Sequence, residues 1–236
     1  MPLVAANGLK FHVQELGSGR PVVMVHGLLI GSLASWYFTA APALARGHRV
    51  RMFDLRGHGR SERAASGYDV ATLAGDLGAL TADLDEPFDV VGHSWGALVA
   101  MQFALDHPER VRRLAIVEAP MPPSSALEMA SFMATDESLP ARLLDALPAP
   151  LREQVASGRR QAERLMKSLE YLLLESSLLA DVRAEPELSN DALGQLRCRT
   201  LSVYGDRSSC APGGERLSRA IPGVRHLVLR GGHYLH

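Results

Sequence analysis

The sequence predicts an α/β fold: a mostly parallel, twisted sheet with helices on both faces. Seven short β-rich runs recur along the chain, at Phe11 to Glu15, Val22 to Val25, Val50 to Phe53, Phe88 to Val91, Leu114 to Val117, Leu201 to Tyr204 and His226 to Leu229. Helix-like stretches separate them, and strands that alternate with helices imply parallel pairing. Several runs, Val22 to Val25 above all, are almost wholly apolar, as strands buried on both faces should be.

Taken in order, the run Val22 to Val25 ends abruptly in His26-Gly27, and Val50 to Phe53 ends in the loop Asp54 to Ser61 (DLRGHGRS). Thr72 to Leu84 and Trp95 to Leu105 carry Leu, Val, Met and Ala at helical spacing on either side of the Phe88 to Val91 strand. After Leu114 to Val117 the rhythm stops. No strand is predicted from Met121 to about Asn190, where Pro122, Pro123, Pro140, Pro148 and Pro150 punctuate candidate helices at Ala126 to Ala134, Arg142 to Leu147 and Arg152 to Leu179. The expected organisation is a core of residues 1–120 and 191–236 with a helical cap inserted at 121–190. Met129, Phe132, Met133, Met166, Leu169, Leu172 and Leu173 would serve that cap, most of them in helix packing and a minority as the roof of an apolar pocket.

At 236 residues the chain is expected to form one domain with a sizeable core. A net charge of −1 offers no broad attraction to nucleic acid or an anionic membrane, so the expected partner is a small molecule, and the apolar cap residues make it a hydrophobic one. The first ten residues lack a basic segment followed by an apolar stretch, and no run approaches the length of a membrane span. The expected location is cytoplasmic. Cys198 and Cys210 flank a predicted strand without metal-ligand spacing and read as free structural thiols. No metal or organic cofactor is expected.

The chemistry centres on Gly92, His93, Ser94, Trp95 and Gly96. A G-x-S-x-G match alone is weak, but here a strand precedes it and a helix follows. A sharp strand-to-helix turn exposes the serine hydroxyl at the carboxyl edge of a sheet, and glycines two places either side let the turn close. The His26-Gly27 turn can aim the Leu28 amide at the point reached by the Trp95 amide, giving two converging donors for an oxyanion. Serine needs a base, almost always histidine. Of nine histidines, His233 is preferred because Gly231 and Gly232 place it on a loop just past the last strand. His26 and His58 read as loop ties, and His93 should point away from the serine.

Together, His26-Gly27, DLRGHGRS, GHSWG and Gly231-Gly232-His233 resemble the α/β-hydrolase superfamily in order and spacing. The resemblance implies the α/β-hydrolase fold with a cap, Ser94 as nucleophile, His233 as base and the Leu28 and Trp95 amides as oxyanion hole. Asp54 and Arg56 read as a buried ion pair rather than as catalysts. In much of the family the catalytic acid stands three residues beyond the glycine that ends the strand before the histidine strand. That glycine is Gly205, and the position holds Ser208. Two carboxylates remain: Glu118, at an alternative acid position used by some members, is preferred, and Asp206 is the alternative.

Members usually carry a further helix after the histidine loop, so a chain ending at His236 should expose an apolar sheet face. A serine nucleophile favours acyl chemistry over epoxide hydrolysis and dehalogenation, which use aspartate in this superfamily. The leading expectation is a serine hydrolase of carboxylesterase type. The alternatives are C–C (diketone-type) hydrolysis, thioester or lactone hydrolysis, and a non-hydrolytic ligand-binding protein on the same fold.

Overall fold

The computed structural model describes residues 3–124, 126 and 160–235. Among these, eight strands form one sheet. They are β1 (Leu3–Ala6), β2 (Leu9–Leu16), β3 (Arg20–Val25), β4 (His48–Phe53), β5 (Phe88–His93), β6 (Val111–Val117), β7 (Arg199–Gly205) and β8 (Arg225–Leu229). Their spatial order is β1-β2-β4-β3-β5-β6-β7-β8. The first two pairings are antiparallel and the rest parallel. All seven predicted runs lie inside strands. β1 was not predicted: it is short and largely exposed, and its cue is the Asn7-Gly8 turn, where both residues have positive φ.

Period-two alternation divides the sheet between two apolar layers. Val22 and Met24 of β3, with Val50 and Met52 of β4, pack on one face with Trp36 and Ala41 of the short helices α1 (Ala34–Tyr37) and α2 (Ala41–Leu44). Val23, Val25, Phe53 and Val90 face the other way, against α3 (Val70–Leu80) and α4 (Trp95–Asp106). Asp69 caps α3 by accepting the Thr72 amide at 2.8 Å. Both predicted helices therefore form, α3 ending four residues short of Leu84. On the open edge of the sheet, Val228 and Leu229 of β8 are exposed.

Of the predicted cap helices, 126–134 and 142–147 lie almost wholly outside the described residues, as do Met129, Phe132 and Met133. Of the predicted helix 152–179, residues 152–159 lie outside the described residues, and the rest breaks into α5 (Arg160–Glu170), a π-helical turn (Tyr171–Glu175) and α6 (Leu178–Ala184). Ser176 ends the turn in an extended conformation, with its hydroxyl donating to the Leu172 carbonyl at 2.6 Å, so a side chain competes with the helical ladder. The described residues between 160 and 190 contain no strand. They are fixed to the core: Asp181 and Glu185 accept the Tyr68 and Val70 amides, and Leu169 and Leu173 pack against Leu29 and Ile30. Two further helices, α7 (Asn190–Gly194) and α8 (Ala211–Ala220), flank β7 in the chain.

The expected Asp54–Arg56 pair is not formed. Asp54 instead meets His12 at 2.8 Å and accepts the Leu33 and Arg60 amides, while Arg56 pairs with the fully buried Asp76. Asp54 points back toward β2 and Arg56 toward α3, so adjacency in the loop did not predict partnership. Among the described residues, no helix is long and apolar enough to cross a membrane.

The turn after β5 closes only because Gly92 lacks a side chain. A Cβ there would overlap the Gly96 carbonyl oxygen and lie 2.6 Å from Ala97 Cα, all rigid backbone. Gly92→Ala is expected to lower stability by about 3 kcal/mol, in the range of severe overpacking. Gly75→Ala, in the exposed face of α3 with open space around it, should raise stability by about 0.5–1 kcal/mol. Urea denaturation midpoints of the two variants check both signs.

Candidate active site

Ser94 sits between β5 and α4 at φ 55° and ψ −126°, a conformation that costs an ordinary residue about 1–3 kcal/mol. Among the described residues four non-glycines have positive φ: Asn7, Leu29, Ser94 and Glu118. Asn7 belongs to the β1–β2 turn. The other three lie at the carboxyl ends of the adjacent strands β3, β5 and β6, where strain has to be held by surrounding structure.

The turn after β3 packs backbone to backbone against Ser94. A Cβ on Gly27 would lie 2.8 Å from Ser94 Cβ, and one on Gly96 would meet the carbonyls of Val25 and His26. This brings the amide of Leu28 beside the start of α4, where Trp95 supplies the second predicted donor. Among the hydrogen bonds of the described residues, neither the Leu28 nor the Trp95 amide donates to a protein acceptor. The Ser94 amide donates to the Val117 carbonyl at 2.8 Å, tying the turn to β6.

Two buried imidazoles shape this edge. His26 Nε2 accepts the Leu55 amide at 2.9 Å and His58 Nε2 accepts the Leu29 amide at 3.0 Å. Their Nδ1 atoms lie 2.7 and 2.8 Å from the Gly27 and Arg56 carbonyls, so both rings are neutral Nδ1–H tautomers. Burial, reinforced by the neighbouring His26 ring, pushes His58 down to about 3. Burial likewise lowers His26. In the unfolded chain both rings would titrate at their ordinary value of 6.5. For His58 the unfolded state binds more protons between those limits, so stability falls as the pH falls from about 6.5 toward about 3, and the lowered His26 adds a loss of the same sign below its ordinary value. For His58 the loss reaches about 1.4 kcal/mol per pH unit. Thermal unfolding should show a falling Tm over that window, and a flat profile would count against the assignment of neutral rings.

Glu118 lies directly beyond β6 and is fully buried. Its carboxylate accepts the Gly205 amide, the Ser208 hydroxyl and His233 Nδ1, the last at 3.2 Å. Asp206 instead accepts the Gly231 amide at 2.9 Å, with its side chain about half exposed beside Arg207. The Asp206 and Arg207 amides also bond to Leu229 and Gly231, so Asp206 staples the loop that carries the histidine. Glu118 touches the imidazole, and among the described contacts Asp206 does not.

Three residues beyond the sequence-predicted set surround this pair. Ser208, the residue in the customary acid position, donates its hydroxyl to Glu118 and accepts the Cys210 amide at 3.1 Å. His93, expected to point away from Ser94, directs Nε2 to the His233 carbonyl at 2.9 Å and so fixes the backbone of the histidine. Cys210 Sγ lies 3.6 Å from His233 Nδ1. Its thiol is pushed up to about 11 by burial and then by the Glu118 charge. Both cysteines are free, as expected. No sequence cue marked these contacts, since each joins residues on separate elements. Among the described hydrogen bonds none links Ser94 Oγ to His233.

A family model described as alpha/beta hydrolase fold matches residues 20–151. This chain belongs to the α/β-hydrolase family. It is 40% identical over 115 residues to a soluble epoxide hydrolase of Corynebacterium sp. (strain C12), an alignment covering 48% of this chain and 39% of that protein. To RutD of Variovorax paradoxus (strain S110), named provisionally a carbamate hydrolase, it is 30% identical across 95% of this chain and 89% of that one. The solved structure of Est816, described as an N-acyl homoserine lactone degrading enzyme, superposes with a TM-score of 0.73 at 26% identity, covering 99% and 93% of the two chains. The chain has the α/β-hydrolase fold, and it spans less than half the length of several of the curated relatives it matches, the epoxide hydrolase among them.

Proposed function

We propose that this α/β-hydrolase cleaves an ester-type bond of a small to medium hydrophobic substrate through an acyl-enzyme on Ser94. The observation that carries the reading is the strained turn at Ser94, packed against Gly27 at the edge where His233 meets Glu118. His233 Nε2 takes the hydroxyl proton as Oγ attacks the carbonyl carbon. The Leu28 and Trp95 amides hold the tetrahedral oxyanion, and the imidazolium then protonates the leaving group. Water enters by the reverse proton path and releases the acid. Glu118 holds the ring with Nδ1 protonated, leaving Nε2 free to act. Catalytic hydrogen bonds commonly tighten only when substrate arrives, which accommodates the missing Ser94–His233 bond.

An ester former suits a serine, whereas family members that open epoxides use aspartate; the epoxide hydrolase alignment covers only half of this chain. Substrate size is proposed from the helical segment. Leu169 and Leu173 of the 160–184 segment pack on Leu29 and Ile30, beside the oxyanion turn, which favours an apolar roof over residues 26–30. The experiment is a p-nitrophenyl ester series of graded acyl length. Turnover should be measurable and should depend on chain length through KM. Absence of both turnover and an initial burst throughout the series would overturn the esterase reading and favour C–C bond hydrolysis or ligand binding without catalysis.

A further inference from the structure

We propose that Cys210, His233 and Glu118 form a site for a thiolate-binding divalent cation of the Zn²⁺ type, and that occupancy switches the hydrolase off. The three residues stand on separate segments, and their Sγ, Nδ1 and carboxylate oxygen atoms all lie within 4.8 Å of one another. The observed edges are 3.6 Å from Sγ to Nδ1 and 3.2 Å from Nδ1 to Oε2. Around a tetrahedral Zn²⁺ with ordinary bond lengths, the S···N edge is about 3.5–3.6 Å and the N···O edge about 3.3–3.4 Å. Both edges that meet at Nδ1 thus already match an ion in place of the Nδ1 proton, and the third, from Sγ to the carboxylate, lies within 4.8 Å and closes to about 3.6 Å around the ion. Glu118 and Cys210 are buried and His233 nearly so, and the donor set of one thiolate, one imidazole and one carboxylate suits zinc or cadmium rather than magnesium or calcium. Three protein ligands leave the fourth position to water.

Protons balance in a way that predicts inhibition. Metal binding at Nδ1 requires that nitrogen's lone pair, so the single proton of the neutral ring moves from Nδ1 to Nε2. The Cys210 thiol loses its proton to solvent, and two anionic ligands then neutralise the dication. With Nε2 protonated, His233 has no lone pair to accept the Ser94 proton. The inhibition rests on the proposed role of His233; the binding site does not.

The test titrates the full-length protein with Zn²⁺ by calorimetry and with Cd²⁺ by its thiolate charge-transfer absorption. Ester turnover is followed in parallel, each variant against its own metal-free rate. One ion per chain should bind, and Cys210→Ala should weaken it about 100-fold or more, whereas Cys198→Ser, on the far side of β7, should leave it unchanged. In a Cys198→Ser background, Zn²⁺ should also protect the remaining thiol from alkylation, a readout that does not require the Cys210 variant to fold. Affinity unchanged by Cys210→Ala, or no saturable binding, would overturn the site. Stoichiometric binding at Cys210 without loss of turnover would overturn the inhibition and point to a fault in the reading of His233.

Discussion

Glu118→Gln is expected to lower kcat by about 10⁴, the cost of losing the carboxylate behind a catalytic imidazole. Among the described residues, each group that hydrogen-bonds the Glu118 side chain does so as a donor: the Gly205 amide, the Ser208 hydroxyl and His233 Nδ1. An amide in place of the carboxylate must turn its own N–H₂ toward one of them. If it faces His233, the ring is driven to the tautomer with Nε2 protonated, which cannot accept the Ser94 proton. Asp206→Asn removes charge from a half-exposed side chain whose oxygen can still accept the Gly231 amide. Its effect should stay within about fivefold, the scale of one ordinary hydrogen bond of about 1 kcal/mol. Steady-state kinetics against one ester, with circular dichroism to confirm folding, separate the two. Collapse of Asp206→Asn alone would transfer the acid role to Asp206.

Ser94→Ala should reduce turnover further, by roughly 10⁵ to 10⁶, because it removes the atom that forms the covalent bond. What remains should be the modest acceleration from oxyanion donors and substrate binding. The substitution keeps Cβ, so the packing of Ser94 Cβ against Gly27 is unchanged and the variant should fold and bind substrate. A Kd for a slow substrate close to the wild-type value, with kcat lost, is the expected split. Retention of more than a few per cent of wild-type kcat would mean that Ser94 is not the nucleophile.

The central strands were legible because apolar runs buried on both faces carry a strong local signal, as at Val22 to Val25. The Ser94 turn was legible for a related reason: Gly92 and Gly96 record a backbone approach that permits no side chain. Contacts between elements were not. Ser208 reads in the sequence as the loss of an acid, yet in space it donates to the carboxylate that reaches His233 from β6. The charged groups of the DLRGHGRS loop found partners 42 and 20 residues away, which local spacing does not encode. The partner of His93 was not legible because β5 alternation says which face the ring takes but not that the His233 carbonyl waits there. The break at Ser176 went unseen because serine is compatible with a helix until its hydroxyl takes a backbone carbonyl.

The identity of the atom that attacks the substrate separates acyl-enzyme chemistry on Ser94 from every alternative. Treatment with a fluorophosphonate, followed by intact-mass measurement and peptide mapping, reads that atom. The predicted result is one adduct per chain, located on Ser94, with none in Ser94→Ala. Ester turnover by a protein that takes up no label, or a label mapped to another residue, would contradict it.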